Sequence, residues 1–486
     1  MDYICPYCGG PVNKDNILFV SNGSAVYRDT VRFNFLKHCC DDWPFEQGDE
    51  FHGLYFRPAD AEVISRDEAS QMPLTIRASL RDGLTPRELR EDSQLDFTPE
   101  EKPDAILPVI LGTRACPHCH CRLPVSFGVV ETVYVTMLGG RAAGKTAFLI
   151  SLIHQLNTQL LARGLGSVEL EEESKIYYDY LNGYYQEHEG VTLPTPKDNS
   201  LFPFVFSYTN LNSDPVKKCN IVIYDMAGEG ASVPEYLLQH LGIRQAKTVM
   251  LILDVNMTCH GAYYDAFQHY IKQKSAGTPE GLTAQPAMGL QHDFFADTVE
   301  QFLAMAVVKH SHLGILSQVK HIIAITTKID QPLVTNPAMF HGNCILKKDL
   351  GHDHEGALDL SVLEQLKRDV NIFYASANQN PSAHTLTSVI ENAFAQNSSE
   401  KVDVNALAVS TYTRRDAGDP NTIVFDNGYQ TYFRKHRIIE PFLLLLYQAG
   451  MIGAKTSRPA PQAAPQKQPP KKNDKKDGKK GWFRRK

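Results

Sequence analysis

Apolar residues along this chain gather into short runs that stop abruptly at Gly, Asp or Lys. VVETVYVTML (129–138), LFPFVFSY (201–208), CNIVIYD (219–225), KTVMLILD (247–254), KHIIAITT (320–327) and DVNALAVS (403–410) are each of strand length. Nearly continuous apolar runs of this length suit strands covered on both faces. Between them the apolar spacing changes to that of helices. AFLISLIHQL (147–156) follows the first run, and Val299, Phe302 and Ala306, with Phe295 before them, give one apolar helical face. Leu363, Leu366, Val370, Phe373 and Ala377 give another, and IIEPFLLLLYQ (438–448) closes the pattern. The expectation is an α/β chain.

Length and composition narrow this further. The 486 residues predict about three folded units at roughly 100 to 200 residues each. With 43% hydrophobic and 21% charged residues, the chain is neither disordered throughout nor disulfide-stapled. The most apolar segment, RIIEPFLLLLYQAGMIG, contains Glu440 and Gln448 and falls short of the about 18 to 20 apolar residues of a membrane span. The start, MDYICPYCGG, lacks the charged-then-apolar order of a signal peptide, so the expected location is cytoplasmic. Charge is segregated: residues 454–486 carry a net +10 and the remainder −16, with −10 of that within residues 41–104.

Two cysteine pairs stand out, Cys5 and Cys8 in CPYCGG and Cys116 and Cys119 in CPHCHCRLP. Two CPxC turns with backbone N–H groups directed at sulfur suit one tetrahedral structural zinc. They predict a zinc ribbon over 1–128 with knuckles at 5–8 and 116–119. Residues 9–115 lie between the knuckles, where a compact ribbon has about 15 to 20, so an acidic segment is expected to be inserted there. His38, Cys39, Cys40, His118, His120 and Cys121 are further candidate ligands.

After the first long apolar run comes GGRAAGKT (139–146), then a helix, which is the strand–loop–helix context of a phosphate-binding loop. Gly139 and Gly144 let the backbone curl around phosphate, Lys145 reaches the outer phosphates, and Thr146 supplies a magnesium ligand. DMAG (225–228) then places Asp225 after an apolar strand and Gly228 three residues on, a carboxylate for magnesium and an N–H for the terminal phosphate. TKID (327–330) ends a later strand, where Asp330 offers two acceptors to the guanine edge and the stem of Lys328 covers the ring, with Thr327 leading.

With these motifs in order, residues 129–450 resemble the TRAFAC class of phosphate-loop (P-loop) GTPases. The resemblance implies a three-layer α/β fold with a mixed six-stranded sheet and helices on both faces, in a domain spanning 129–453. Together with the N-terminal ribbon and closing helix, the chain is most similar to the bacterial double-GTPase families of conflict systems. That likeness implies a paired GTPase as partner.

The remaining elements depart from a minimal GTPase. Insertions are expected near 163–191 and 255–319. Of two serines suited to touch guanine, Ser376 falls on a helical repeat, so Ser410 after the last strand is preferred. Thr195, with Thr192 as the alternative, is expected to close over magnesium. Glu229 stands where many relatives carry a water-orienting glutamine, which points to slow intrinsic hydrolysis. Arg141 either contacts the terminal phosphate or pairs with an acid. The tail, 454–486, lacks the composition for a core; its cations and Trp482 and Phe483 suit an anionic membrane surface, or nucleic acid as the weaker choice.

The functional expectation is a magnesium-dependent GTP-hydrolysing switch acting on a protein partner. The rivals are a scaffold that binds nucleotide with little turnover and a ribbon that binds nucleic acid under GTP control.

Overall fold

The first cysteine knuckle is the turn of a hairpin, because β1 (Tyr3–Ile4) and β2 (Pro11–Val12) pair antiparallel on either side of it. The second knuckle joins β5 (Thr113–Ala115) to β6 (Arg122–Leu123) in the same manner. Between the two lie β3 (Leu18–Ser21), α1 (Thr30–Cys39) and β4 (Leu54–Phe56). β3 and β4 join the second knuckle's strands in a four-stranded antiparallel sheet ordered β4-β3-β5-β6, so part of segment 9–115 belongs to the same sheet as the second knuckle. The computed structural model describes residues 3–21, 29–39, 54–56, 113–140, 142–187, 192, 202–226, 228, 233, 238, 241–258, 298–329, 357–377, 385–397, 400–411, 423–424, 430–431 and 437–455.

The apolar runs form one large sheet. Its elements are β7 (Thr132–Gly139), α2 (Lys145–Ala162), β8 (Ser167–Leu170), α3 (Glu172–Glu187), β9 (Pro203–Asn210), β10 (Lys217–Asp225), β11 (Thr248–Asp254) and β12 (His321–Thr327). β13 (Ala357–Leu358) pairs in parallel with Gly453–Ala454 apart from this sheet, and α4 (Leu360–Ala377), α5 (Leu386–Phe394), β14 (Asp403–Ala408) and α6 (Glu440–Gln448) complete the order. The sheet order is β14-β12-β11-β7-β10-β9-β8. Neighbours from β14 to β10 run parallel, and β9 pairs antiparallel with both β10 and β8.

The sheet therefore has seven strands, not the six that the sequence led us to expect. The additional strand, β8, comes from the insertion expected near 163–191. It has four residues and is bonded on one side only, so it needs none of the continuous apolar character that marks the inner strands. Within the same insertion Glu172–Glu187 is helical as α3, and Ser376 lies within α4. α4 and α5 pack against β14, α2 against β8, and α6 against β12. Among the described residues no helix is long and apolar enough to cross a membrane.

Residues Met1–Ala454 form one compact unit, which joins 1–128 to 129–453, and Lys455–Lys486 form a second. A buried ion pair is one of the joints: Arg32 of α1 is 1% exposed and its Nη2 lies 2.7 Å from Glu173 Oε1 and 3.1 Å from Glu172 Oε1 on α3. The backbone N–H of Arg122 donates to the same Glu173 oxygen at 2.7 Å. Removing either partner would strand a charge out of water at a cost of about 3 to 5 kcal/mol.

One residue before that helix, Glu171 accepts a 2.6 Å hydrogen bond from the Ser207 hydroxyl. Burial, with Glu173, Glu169 and Glu172 nearby, pushes its carboxyl up to about 7 against the Ser207 bond. In the folded chain Glu171 keeps its proton to higher pH than in the unfolded chain, so stability falls as pH rises from the ordinary carboxyl range through about 7. Glu171→Gln is expected to gain at most about 3 kcal/mol at pH 8 and to flatten the pH dependence between 5 and 8. Urea midpoints across that range check this; parallel curves for the two proteins would refute it.

Candidate functional site

β7 delivers the glycine loop to the C-terminal edge of the sheet. Gly139 is still on that strand, where a Cβ would sit 2.5 Å from the Ile252 carbonyl of β11, so its role is close strand approach rather than the curl expected from its motif. Gly144 supplies the curl: its φ of 86° is left-handed, and α2 begins at the next residue. The free N–H groups of a helix start face the loop, an arrangement suited to anions.

Lys145 is 6% exposed, and its ammonium donates to the carbonyls of Gly139 and Gly140, both at 3.0 Å. Thr146 Oγ1 donates to Asp225 Oδ2 at 2.8 Å. The parallel pairing of β7 and β10, with Asp225 opposite Met137, brings that carboxylate to the loop. Burial pushes the Asp225 carboxyl above its ordinary range, while Lys145 and the Thr146 bond hold it down. Its other oxygen, Oδ1, is buried and has no hydrogen-bond partner among the described residues. A hydroxyl and a carboxylate with a spare oxygen fit a hard divalent cation such as magnesium, which completes its shell with water and phosphate. Gly228 is a half-buried turn residue three positions on.

The parallel pairs β11–β12 and β12–β14 bring the other motifs to the same edge. Thr327 Oγ1 donates to the Ala143 carbonyl at 2.6 Å, tying β12 to the phosphate loop, and lies 3.2 Å from the Leu253 carbonyl. Lys328 has a left-handed φ of 57°, and its ammonium pairs with Asp254 at the end of β11. Sequence reasoning passed over Asp254, whose signal is the single acid ending the run KTVMLILD. Ser410 is fully buried; beside it, the Val409 N–H donates to the Thr326 carbonyl at 2.8 Å. Thr192 is half-buried, whereas Arg141, Thr195, Glu229 and Asp330 lie outside the described residues, as does the tail beyond Lys455.

A second site lies at the knuckles. The sulfurs of Cys5, Cys8, Cys116 and Cys119 all fall within 4.8 Å of one another. Cys5 is 3.8 Å from Cys119 and Cys8 3.6 Å from Cys116. A tetrahedral ion with bonds of about 2.3 Å to sulfur holds its ligands about 3.8 Å apart. Backbone N–H groups of Gly10 and His118 donate to Cys8 and Cys116 sulfurs at 3.4 and 3.3 Å. Burial pushes the Cys5 and Cys119 thiols well up, so thiolates there require a cation's compensating charge. These observations fit zinc.

The further candidate ligands are placed elsewhere. His118 Nε2 is 3.0 Å from the Pro11 carbonyl, and His120 Nδ1 is 3.0 Å from Asp29 Oδ1. His38 is exposed and Cys39 buried on α1, while Cys121 is buried beyond the second knuckle. None of these joins the four-sulfur group found among the described residues, and Cys40 lies outside them.

No family model and no curated protein matches the chain. Among solved structures, the chain is similar to the GTPase-like domain of Ski7 from S. cerevisiae, bound to GTP, at 14% identity and a TM-score of 0.25, covering 66% of this chain and 50% of that one. It is also similar to Sup35 complexed with GDP, at 11% identity and a TM-score of 0.21, covering 64% of this chain and 44% of that one. The chain spans about half the length of these structures or less. Overlaps this small leave the reading of the site to its own geometry.

Proposed function

We propose that this chain is a GTP-binding switch that takes magnesium with its nucleotide, hydrolyses GTP slowly, and holds a structural zinc at its four cysteines. The observation that carries the reading is the convergence of Lys145 and Thr146, at the start of α2, on Asp225 with its unpartnered Oδ1. Thr146 and Asp225 would hold magnesium, whose charge would offset that of the outer phosphates. Lys145 would turn from the loop carbonyls to the phosphates, and the helix start would supply N–H groups. Thr327 fixes the loop against β12, and Ser410 and the TKID segment would line the base.

On this reading the GTP state orders the segments around Thr195 and Gly228 and changes the surface offered to a protein partner, a second GTPase being the partner implied by the resemblance to conflict systems. Arg141 and Glu229 bear on the rate, and the basic tail is a separate contact for an anionic membrane.

Base preference tests the reading. Guanine is expected to bind at least about tenfold more tightly than adenine, because Asp330 is left unpaired against adenine. Asp330→Asn should bring the two affinities together. Titration of fluorescent GDP and ADP in magnesium measures both; equal affinities in the unaltered protein would refute the guanine assignment.

A further inference from the structure

The first knuckle is built into the nucleotide-bearing strands. Cys5 is bracketed by two carbonyls, and a tyrosine of the large sheet holds each: Tyr134 of β7 donates to Ile4 at 2.9 Å, and Tyr224 of β10 donates to Pro6 at 2.8 Å. In the β7–β10 register Tyr134 faces Val222 and Tyr224 faces Thr136, so the two tyrosines stand on one face of the sheet. Tyr224 immediately precedes Asp225. Tyr7, the other residue between the first two cysteines, packs its ring 5.4 Å from Phe202 and places its hydroxyl 3.4 Å from Ser174 Oγ. Phe202 is where the segment carrying Thr192 and Thr195 enters β9, and Ser174 accepts from the Val205 N–H of that strand at 2.9 Å.

Pro6 and Tyr7 are thus buried against the roots of the two segments on which a nucleotide-dependent change would act. A ribbon serving only as an outward-facing reader would leave these turn residues free for a partner. Here they are consumed within the chain, and two of the contacts end at carbonyls whose direction the Cys5 ligand geometry sets.

We propose that the four-cysteine centre is a working part of the nucleotide site: a metal held there fixes the Tyr224–Asp225 end of β10 and the entry to β9, so that metal and nucleotide bind cooperatively. Tyr224 is a positioning residue in this scheme, acting through its hydroxyl on the Pro6 carbonyl. The inference rests on the proposed nucleotide reading and adds to it a reciprocal requirement. If metal raises nucleotide affinity by some factor, nucleotide must raise metal affinity by the same factor.

The test is an equilibrium competition on the full chain loaded with zinc. A chromophoric chelator is titrated without nucleotide, with GDP, and with a non-hydrolysable GTP analogue, all in magnesium. The chelator concentration that removes half of the zinc should rise by about fivefold or more when nucleotide is bound. Tyr224→Phe, which keeps the buried ring, should retain both zinc and nucleotide yet bring that factor toward one. Such a result separates coupling from a merely structural tyrosine.

Nucleotide binding with an unchanged chelator midpoint would overturn the coupling and leave the nucleotide reading standing. So would undiminished nucleotide affinity in the metal-free chain, or a Tyr224→Phe protein with the full factor. A zinc-loaded chain that binds no nucleotide would sink both the reading and the inference.

Discussion

Lys145→Ala is expected to weaken GTP binding by between about a hundredfold and several thousandfold. The ammonium is almost fully buried and rests on two carbonyls of its own loop, an arrangement that keeps a cation at the strand–helix junction. Removing the buried partner of a multiply charged group costs about 3 to 5 kcal/mol, which is two to four decades in affinity. The neighbouring ammonium of Lys328 is committed to Asp254 and does not compensate. Calorimetric titration with a GTP analogue measures the loss, with circular dichroism as the check that the fold survives. A loss under about tenfold would mean that the phosphates do not sit at this loop.

The second large effect is expected at the sulfurs. Purified protein should carry one zinc per chain, and Cys5→Ser should lose it together with the order of the N-terminal hairpins. Structural zinc contributes an apparent 10 to 16 kcal/mol, roughly the whole stability of an ordinary domain, so the change should read as a cooperative loss rather than a small shift in melting. Cys39→Ser should keep the metal, since Cys39 lies on α1 outside the four-sulfur group. Elemental analysis with hydrogen exchange over residues 3–21 and 113–123 decides it. Metal-free protein whose four thiols titrate freely in the folded state would refute the site.

These sites differ in how far they can be read from sequence. The convergence of Lys145, Thr146 and Asp225 is legible because each sits at the end of an apolar run, and parallel strands in one sheet bring such ends to one edge. The sulfur group is legible from its paired spacing. β8 is not, because a short edge strand followed by Glu171, Glu172 and Glu173 looks like the start of a solvated helix. Nor is the Arg32–Glu173 pair, since nothing local marks which of many charges will be buried together. Tyr134 and Tyr224 read as core residues of strands; that their hydroxyls reach the cysteine knuckle depends on contacts across 130 and 218 residues. Asp254 falls between these cases, visible as a polar stop without a visible partner.

The knuckle also imposes an order on biosynthesis. Cys8 and Cys116 are 108 residues apart, and Tyr224 follows Pro6 by 218. At about 5 to 20 residues per second, Cys5 and Cys8 emerge from the ribosome several seconds before the other two sulfurs and longer still before the strand that steadies them. During that interval Cys5 and Cys8 are two thiols without the other two of the group. On the proposed zinc reading, metal capture waits until Cys116 and Cys119 have been made, and the contact that ties the knuckle to Tyr224 forms later still.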